Sequence, residues 1–123
     1  MHSIINTGGG ILGEEKDLLT GLIQELRRGT LILSVLSQMG QPKYGYALVQ
    51  SLEKQGIAID PNTLYPLLRR LEKQGLLRSE WEMGESKPRK YYQRTPHGDR
   101  IYGELKKQWR EMASGMERLL EKG

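Results

Sequence analysis

The run from Thr63 to Leu77 constrains this chain more than any other segment. Leu64, Leu67, Leu68 and Leu71 fall at i, i+3, i+4 and i+7, the spacing of one face of a helix. Tyr65, Arg69 and Lys73 recur at four-residue spacing on a different face. One side is therefore apolar enough for a core, and the other carries an aromatic ring and two cations. Gly75 is a stop signal, and a strand-like stretch follows it. A short helix with a basic, aromatic outer face that leads into a hairpin is the reading end of a winged helix-turn-helix domain.

The rest of the chain bounds that reading. Its 123 residues allow one domain with an appended helix. Only 37% of them are hydrophobic and Phe is absent, so the core rests on Leu, Ile, Met and a few Tyr and Trp. A small core of this kind is marginal, which makes self-association a reasonable expectation. No apolar stretch reaches the roughly 18 residues of a membrane span. No basic start followed by an apolar run marks a secretory signal. The absence of Cys excludes disulfides and thiolate zinc sites and fits a reducing cytoplasm, the expected location.

The net charge is +4, and its placement matters more than its size. Arg69, Arg70, Lys73, Arg78, Lys87, Arg89, Lys90 and Arg94 lie between Thr63 and Arg94, against Glu72, Glu80, Glu82 and Glu85. The whole excess sits in the expected helix and hairpin. Concentrated positive charge attracts a polyanion through release of condensed counterions. A solvated basic surface is the plain alternative, and charge alone does not separate the two.

Along the chain, residues 1–13 hold a triple Gly and little pattern, as in a flexible N-terminal arm. Residues 14–24 can start a helix. Apolar periodicity strengthens from Leu22 to Met39, and Gly29 interrupts it without having to end it. Gly40-Gln41-Pro42 is a stop, and 44–55 reads as a second helix ended by Gly56. The start of the third helix is ambiguous. Asp60 with Pro61 looks like an N-cap and first position. Pro66 would then delete one helical bond, whereas a cap at Thr63 would put Pro66 in the first turn, where none is needed. Residues 77–83 alternate as a half-buried strand, 84–88 turn, and 89–94 return. Thr95-Pro96 opens a last helix to about Glu121, on which Tyr102, Leu105, Trp109, Met112, Met116 and Leu119 form a heptad seam.

Catalysis finds little support. Of two His, His2 lies in the arm and His97 in a first helical turn facing solvent. The Ser residues lack an evident His and acid partner, the carboxylates stand beside Lys or Arg, and the glycines form no phosphate-binding pattern. Neither an enzyme, a cofactor nor a metal is expected.

The helix and hairpin offer more. A recognition helix puts its N-terminal residues against base edges. Here these are Asn62, Thr63 and Tyr65, with Arg69 one turn later. Asn and Arg make bidentate contacts to adenine and guanine, and Thr and Tyr hydroxyls suit phosphates. Asn62 and Thr63 also read as plain caps, and Tyr65 as core; both alternatives stay open. The turn around Lys87, Arg89 and Lys90 is short, basic and stiffened by Pro88, suited to phosphates. The apolar seam with Trp109 needs another surface, most simply the same helix of a second copy, joined by Leu22, Ile23 and Leu26.

These residues resemble the PadR-like transcriptional regulators. The marks are Arg28-Gly29-Thr30-Leu31, Tyr44-Gly45-Tyr46, Thr63-Leu64-Tyr65-Pro66 with Arg70-Leu71-Glu72 and Gly75-Leu76, and Pro88-Arg89-Lys90-Tyr91-Tyr92 before Thr95 and Gly98. The joint pattern is specific and runs from about Leu26 to the end. The resemblance implies a homodimeric winged helix-turn-helix repressor, of the short subfamily whose single C-terminal helix makes the dimer. Some short members carry a tryptophan on that helix across which flat aromatic molecules stack. Trp109, fourteen residues after Thr95, matches that position, and a purely structural tryptophan is an equal reading. Two residues depart from the pattern. Arg94 stands where an apolar residue is usual, which requires its stem to lie on Tyr92 and its head to reach solvent. Asn62 replaces a small residue.

The expectation is a mainly α fold with a small β-hairpin: an arm over 1–13, a winged helix-turn-helix over 14–95, and a dimerisation helix over 96–123. Its expected role is a DNA-binding repressor, released by a planar aromatic effector or another signal. The alternative is a winged-helix protein-interaction module that does not touch DNA.

Overall fold

The structure, a computed structural model, describes residues 12–84 and 87–123. The expected arm lies outside them apart from Leu12 and Gly13, and so do two residues of the hairpin turn. Helix α1 spans Gly13–Arg28 and α2 spans Leu31–Ser37. The periodicity that reads through Gly29 is thus broken there. Thr30 turns back on Arg27, its backbone N–H and its hydroxyl both donating to that carbonyl at 2.9 and 2.8 Å. A glycine beside a threonine that bonds locally favours a turn over helix continuation.

The chain divides here into two units, Met1–Leu31 and Ile32–Gly123. Within the first, α1 is amphipathic; Leu18, Leu19, Leu22 and Leu26 are exposed and none of its residues is buried. In the second, β1 (Lys43–Tyr44), α3 (Gly45–Lys54), α4 (Pro61–Lys73), β2 (Leu77–Glu82), β3 (Arg89–Arg94) and α5 (Pro96–Lys122) follow α2. The four leucines of the α4 stripe are buried, with Val35, Leu36 and Met39 from the α2 region and Leu48 and Leu52 from α3. Burying each such leucine contributes about 1.5–3 kcal/mol before entropy is counted.

Both helices of the helix-turn-helix end alike. Gly56 and Gly75 each take φ of 80°, after α3 and α4 respectively. Ile57 N–H then reaches Leu52 O and Leu76 N–H reaches Leu71 O, both at 2.9 Å. This is the glycine-terminated cap that satisfies the last carbonyls of a helix. Helix α5 is stapled to the end of α4. Thr95 caps it by accepting from Gly98 N–H at 2.9 Å and donates its own hydroxyl proton to Gly75 O at 2.6 Å. A Cβ at Gly98 would collide with the Leu76 carbonyl, so the helix can lie this close only with glycine there.

Among the described residues the sheet has three antiparallel strands in the order β1-β3-β2. The hairpin was legible in the sequence, while the two-residue β1 was not. In the hairpin register Ser79 faces Tyr92 and Trp81 faces Lys90, while Glu80 faces Tyr91 and Glu82 faces Arg89. The first set shares the sheet face on which Leu77 and Tyr92 are buried. The second set occupies the outer face, joined there by Tyr44, the partner of Tyr91 across β1 and β3. No helix among the described residues is long and apolar enough to cross a membrane.

Candidate nucleic-acid interface

The start of α4 resolves the ambiguity left by its sequence. Asp60 is the N-cap, its carboxylate accepting from Asn62 N–H at 2.8 Å, and Pro61 takes the first helical position. Pro66 lies inside the helix, which forgoes the bond to the Asn62 carbonyl. With Asp60 as the cap, Asn62 and Thr63 sit in the first turn with exposed side chains. Tyr65 is 39% exposed, and its ring edge packs against Gly45, where a Cβ would meet Cε1 at 2.5 Å. The ring is thus partly core and partly surface. Arg69, Arg70 and Lys73 are exposed beyond it.

The wing separates cations that look clustered in sequence. On its outer face the Arg89 guanidinium lies 4.5 Å from the Tyr44 ring centroid, and Tyr44 meets Tyr91 edge-on at 5.9 Å. The Tyr91 hydroxyl donates to Glu80 at 3.0 Å. Hydrogen bonding to Glu82 and to Glu80 raises the pKa of Tyr44 and of Tyr91, respectively, above the ordinary phenol value, and desolvation adds to both. On the inner face Lys90 sits 3.6 Å from Glu72 and near the rings of Trp81 and Tyr92, at 5.8 and 5.4 Å. Ser79 donates to the same Glu72. Lys87 is exposed near the tip.

Two consequences follow for the electrostatics. Glu72, Glu80 and Glu82 are all engaged within the wing and its support, so these anions are tied to local partners while Arg69, Lys73, Lys87 and Arg89 stand outward. Lys90 is already paired and faces α4, so it does not line up with Arg89. The alternation of a strand carries that signal: residues 89 and 90 must point to opposite faces. Tyr44 and Trp81, which hold the two cations, are not among the site residues expected from the sequence. Pairing of Trp81 with Lys90 depends on hairpin register, and a strand read to Met83 with a turn over 84–88 shifts that register by one residue from the one found, in which β2 ends at Glu82 opposite Arg89.

The seam on α5 is graded. Tyr102 and Leu105 are half-buried, whereas Trp109 is 46% exposed and Met112, Met116 and Leu119 are exposed. Tyr102 is covered by its own chain, with the Arg94 guanidinium 4.5 Å and the Lys106 ammonium 4.9 Å from its ring. The head of Arg94 therefore turns inward, correcting the expectation that it reaches solvent.

Residues 32–104 match the transcriptional regulator PadR-like family. Transcriptional regulator Rv3488 of Mycobacterium tuberculosis is 34% identical over 92 residues, 74% of this chain and 86% of that protein. The crystal structure of a PadR family transcriptional regulator from Eggerthella lenta superposes with a TM-score of 0.85 at 53% identity, covering 91% of this chain and all of that one. Bacillus subtilis PadR in complex with operator DNA matches with a TM-score of 0.57 at 18% identity, over 62% of this chain and 45% of that one, a likeness of fold.

Proposed function

This chain belongs to the transcriptional regulator PadR-like family, and on that premise we propose that it is a homodimeric, sequence-specific DNA-binding repressor. One observation carries the reading: an exposed polar first turn on α4 stands beside a wing on which Lys87 and Arg89 face outward while Glu80 and Glu82 are engaged by Tyr91 and Tyr44. The α4 helices of two subunits enter successive major grooves, about one helical turn apart. Asn62 and Arg69 read base edges, and Thr63 and Tyr65 contact the backbone at the groove entrance. Lys87 and Arg89 bind phosphates; Lys90, held by Glu72, contributes less than either. The operator complex of the Bacillus subtilis protein, on the same fold, supports DNA as the partner. A DNA-binding regulator works in the cytoplasm of a bacterial cell.

The dimer is supported by the exposed apolar residues Trp109, Met112, Met116 and Leu119 of α5. Trp109 and the two methionines within that seam favour a planar aromatic effector stacked between subunits, which releases the repressor from DNA.

Titration of the purified protein against the DNA upstream of its own gene, over a range of salt, tests the reading. Arg89→Ala is expected to weaken binding to all sequences and lower the salt slope by about 1. Lys90→Ala changes the slope less. Asn62→Ala is expected to shift base preference instead, and an equal loss on every sequence would remove Asn62 from the reading. Salt-insensitive behaviour with no complex on any DNA favours the protein-interaction module.

A further inference from the structure

Strand β3 ends at Arg94, on the inner face of the sheet, opposite the buried Leu77 and two residues from the buried Tyr92. Its place in the alternation calls for an apolar side chain. The arginine side chain found there is only 16% exposed, a costly burial unless its donors and its flat face are occupied. They are occupied on three sides. Nη1 donates to the Leu36 carbonyl at 2.5 Å, at the end of α2. Nε donates to Asp99 Oδ1 at 2.8 Å, in the first turn of α5. The face covers Tyr102, one turn further along α5. Gly40 leaves room for the head, since a Cβ there would stand 3.3 Å from Nη2. The Arg94 backbone N–H also donates to Met39 O at 2.8 Å. One planar side chain thus ties the end of the first helix of the winged unit to two successive turns of the last.

Helix α5 has 27 residues, about 40 Å at the rise of an α-helix. Thr95 and Gly98 pin only its first turn. A helix of this length held at one end and turned by about 10° carries its far end roughly 7 Å sideways, twice the step of a base pair. A second fixed point, further along, sets its direction. We propose that Arg94 is the positioning residue that fixes how α5 leaves the winged domain, and hence the half-site spacing the dimer accepts. The assignment rests on the proposed dimer through α5.

The test uses the full chain and a duplex selected by the wild type from random DNA. One base pair is then inserted or removed between the half-sites. The wild type is expected to lose about tenfold or more in affinity for the altered spacing. Arg94→Leu supplies the apolar residue that the alternation calls for, and Arg94→Lys keeps the charge without the fork. Both are expected to remain dimeric by sedimentation, to bind an isolated half-site like the wild type, and to reduce the spacing penalty to about twofold. A role in stability alone would lower the unfolding midpoint and leave the penalty intact. Asp99→Ala, at an exposed position, removes the acceptor of Nε and so cuts one tie, and it is expected to reduce the penalty partway; should the Arg94 variants unfold, it decides alone. Full spacing discrimination in folded, dimeric variants overturns the assignment and leaves the dimer standing. A wild type that is monomeric or selects no sequence overturns both.

Discussion

Gly45 shows how one missing side chain shapes the exposed surface of α4. It sits at the start of α3, yet its absent Cβ is what lets the Tyr65 ring lie against that helix. An added methyl would stand 2.5 Å from Cε1, closer than atoms tolerate, so the ring must move. Gly45→Ala is expected to destabilise the fold by about 1–3 kcal/mol in urea unfolding. It should also weaken DNA binding, because the displaced ring sits between Thr63 and Arg69. Removing the obstacle with Tyr65→Ala in the same chain should recover much of the stability; an alanine variant as stable as the wild type shows that the close approach is not needed. The tyrosine and the glycine were both visible in the sequence, but twenty residues apart, and nothing in either local pattern pairs them. Arg94 makes the same point from the other side. Its local context asked for an apolar residue, and only the folded chain brings the Leu36 carbonyl, Asp99 and Tyr102 within its reach.

The wing, as an element, is a two-faced hairpin that keeps Glu80 and Glu82 occupied. The carboxylates of Glu80 and Glu82 each favour a neutral phenol, raising Tyr91 and Tyr44 above the ordinary value of 10.0. A raised pKa means that the folded state holds the phenol proton more tightly than the unfolded chain does. The associated stabilisation is whole below the unfolded value near 10 and is lost as pH rises through the folded value. The outer face should therefore loosen in alkali. Ultraviolet difference titration is expected to show two phenols ionising above 10.0, one returning toward it in Glu80→Gln and the other in Glu82→Gln. Ordinary titration of both in the wild type argues against these bonds in solution. Sequence alternation over 77–83 was enough to expect β2, which ends one residue earlier, and the turn after it was enough to expect β3 as the return strand. Two residues display no period, so β1 and the contribution of Tyr44 to the wing emerged only from pairing with β3.

For the molecule as a whole, the exposed side of α5 is where a second copy is expected. Trp109, Met112, Met116 and Leu119 lie along one exposed side. If a second copy covers it, Trp109→Glu places an unpaired charge in the interface. That variant is expected to weaken dimerisation by at least about a hundredfold, read by sedimentation equilibrium. A seam that stays in water would leave the association unchanged. The effector has a separate test. The chain has two tryptophans, so Trp81→Phe leaves Trp109 as the one indole reporter. Planar aromatic compounds are then expected to quench its emission and to release DNA at matching concentrations. A broad panel without response removes the effector and keeps the repressor.

The sequence by itself determined the elements that depend on neighbours a few residues apart. The apolar stripe of α4, the glycine stops at Gly56 and Gly75, the Thr95-Pro96 start of α5 and the two hairpin strands are all local matters of period and backbone geometry. It also placed the net positive charge in α4 and the wing. Tertiary structure decided what those charges do. It turned Lys90 onto Glu72 and Arg89 outward over Tyr44, drew the head of Arg94 inside, and fitted Tyr65 against Gly45. Each outcome depends on distance and register between segments far apart in the chain, and side-chain period carries no information about either.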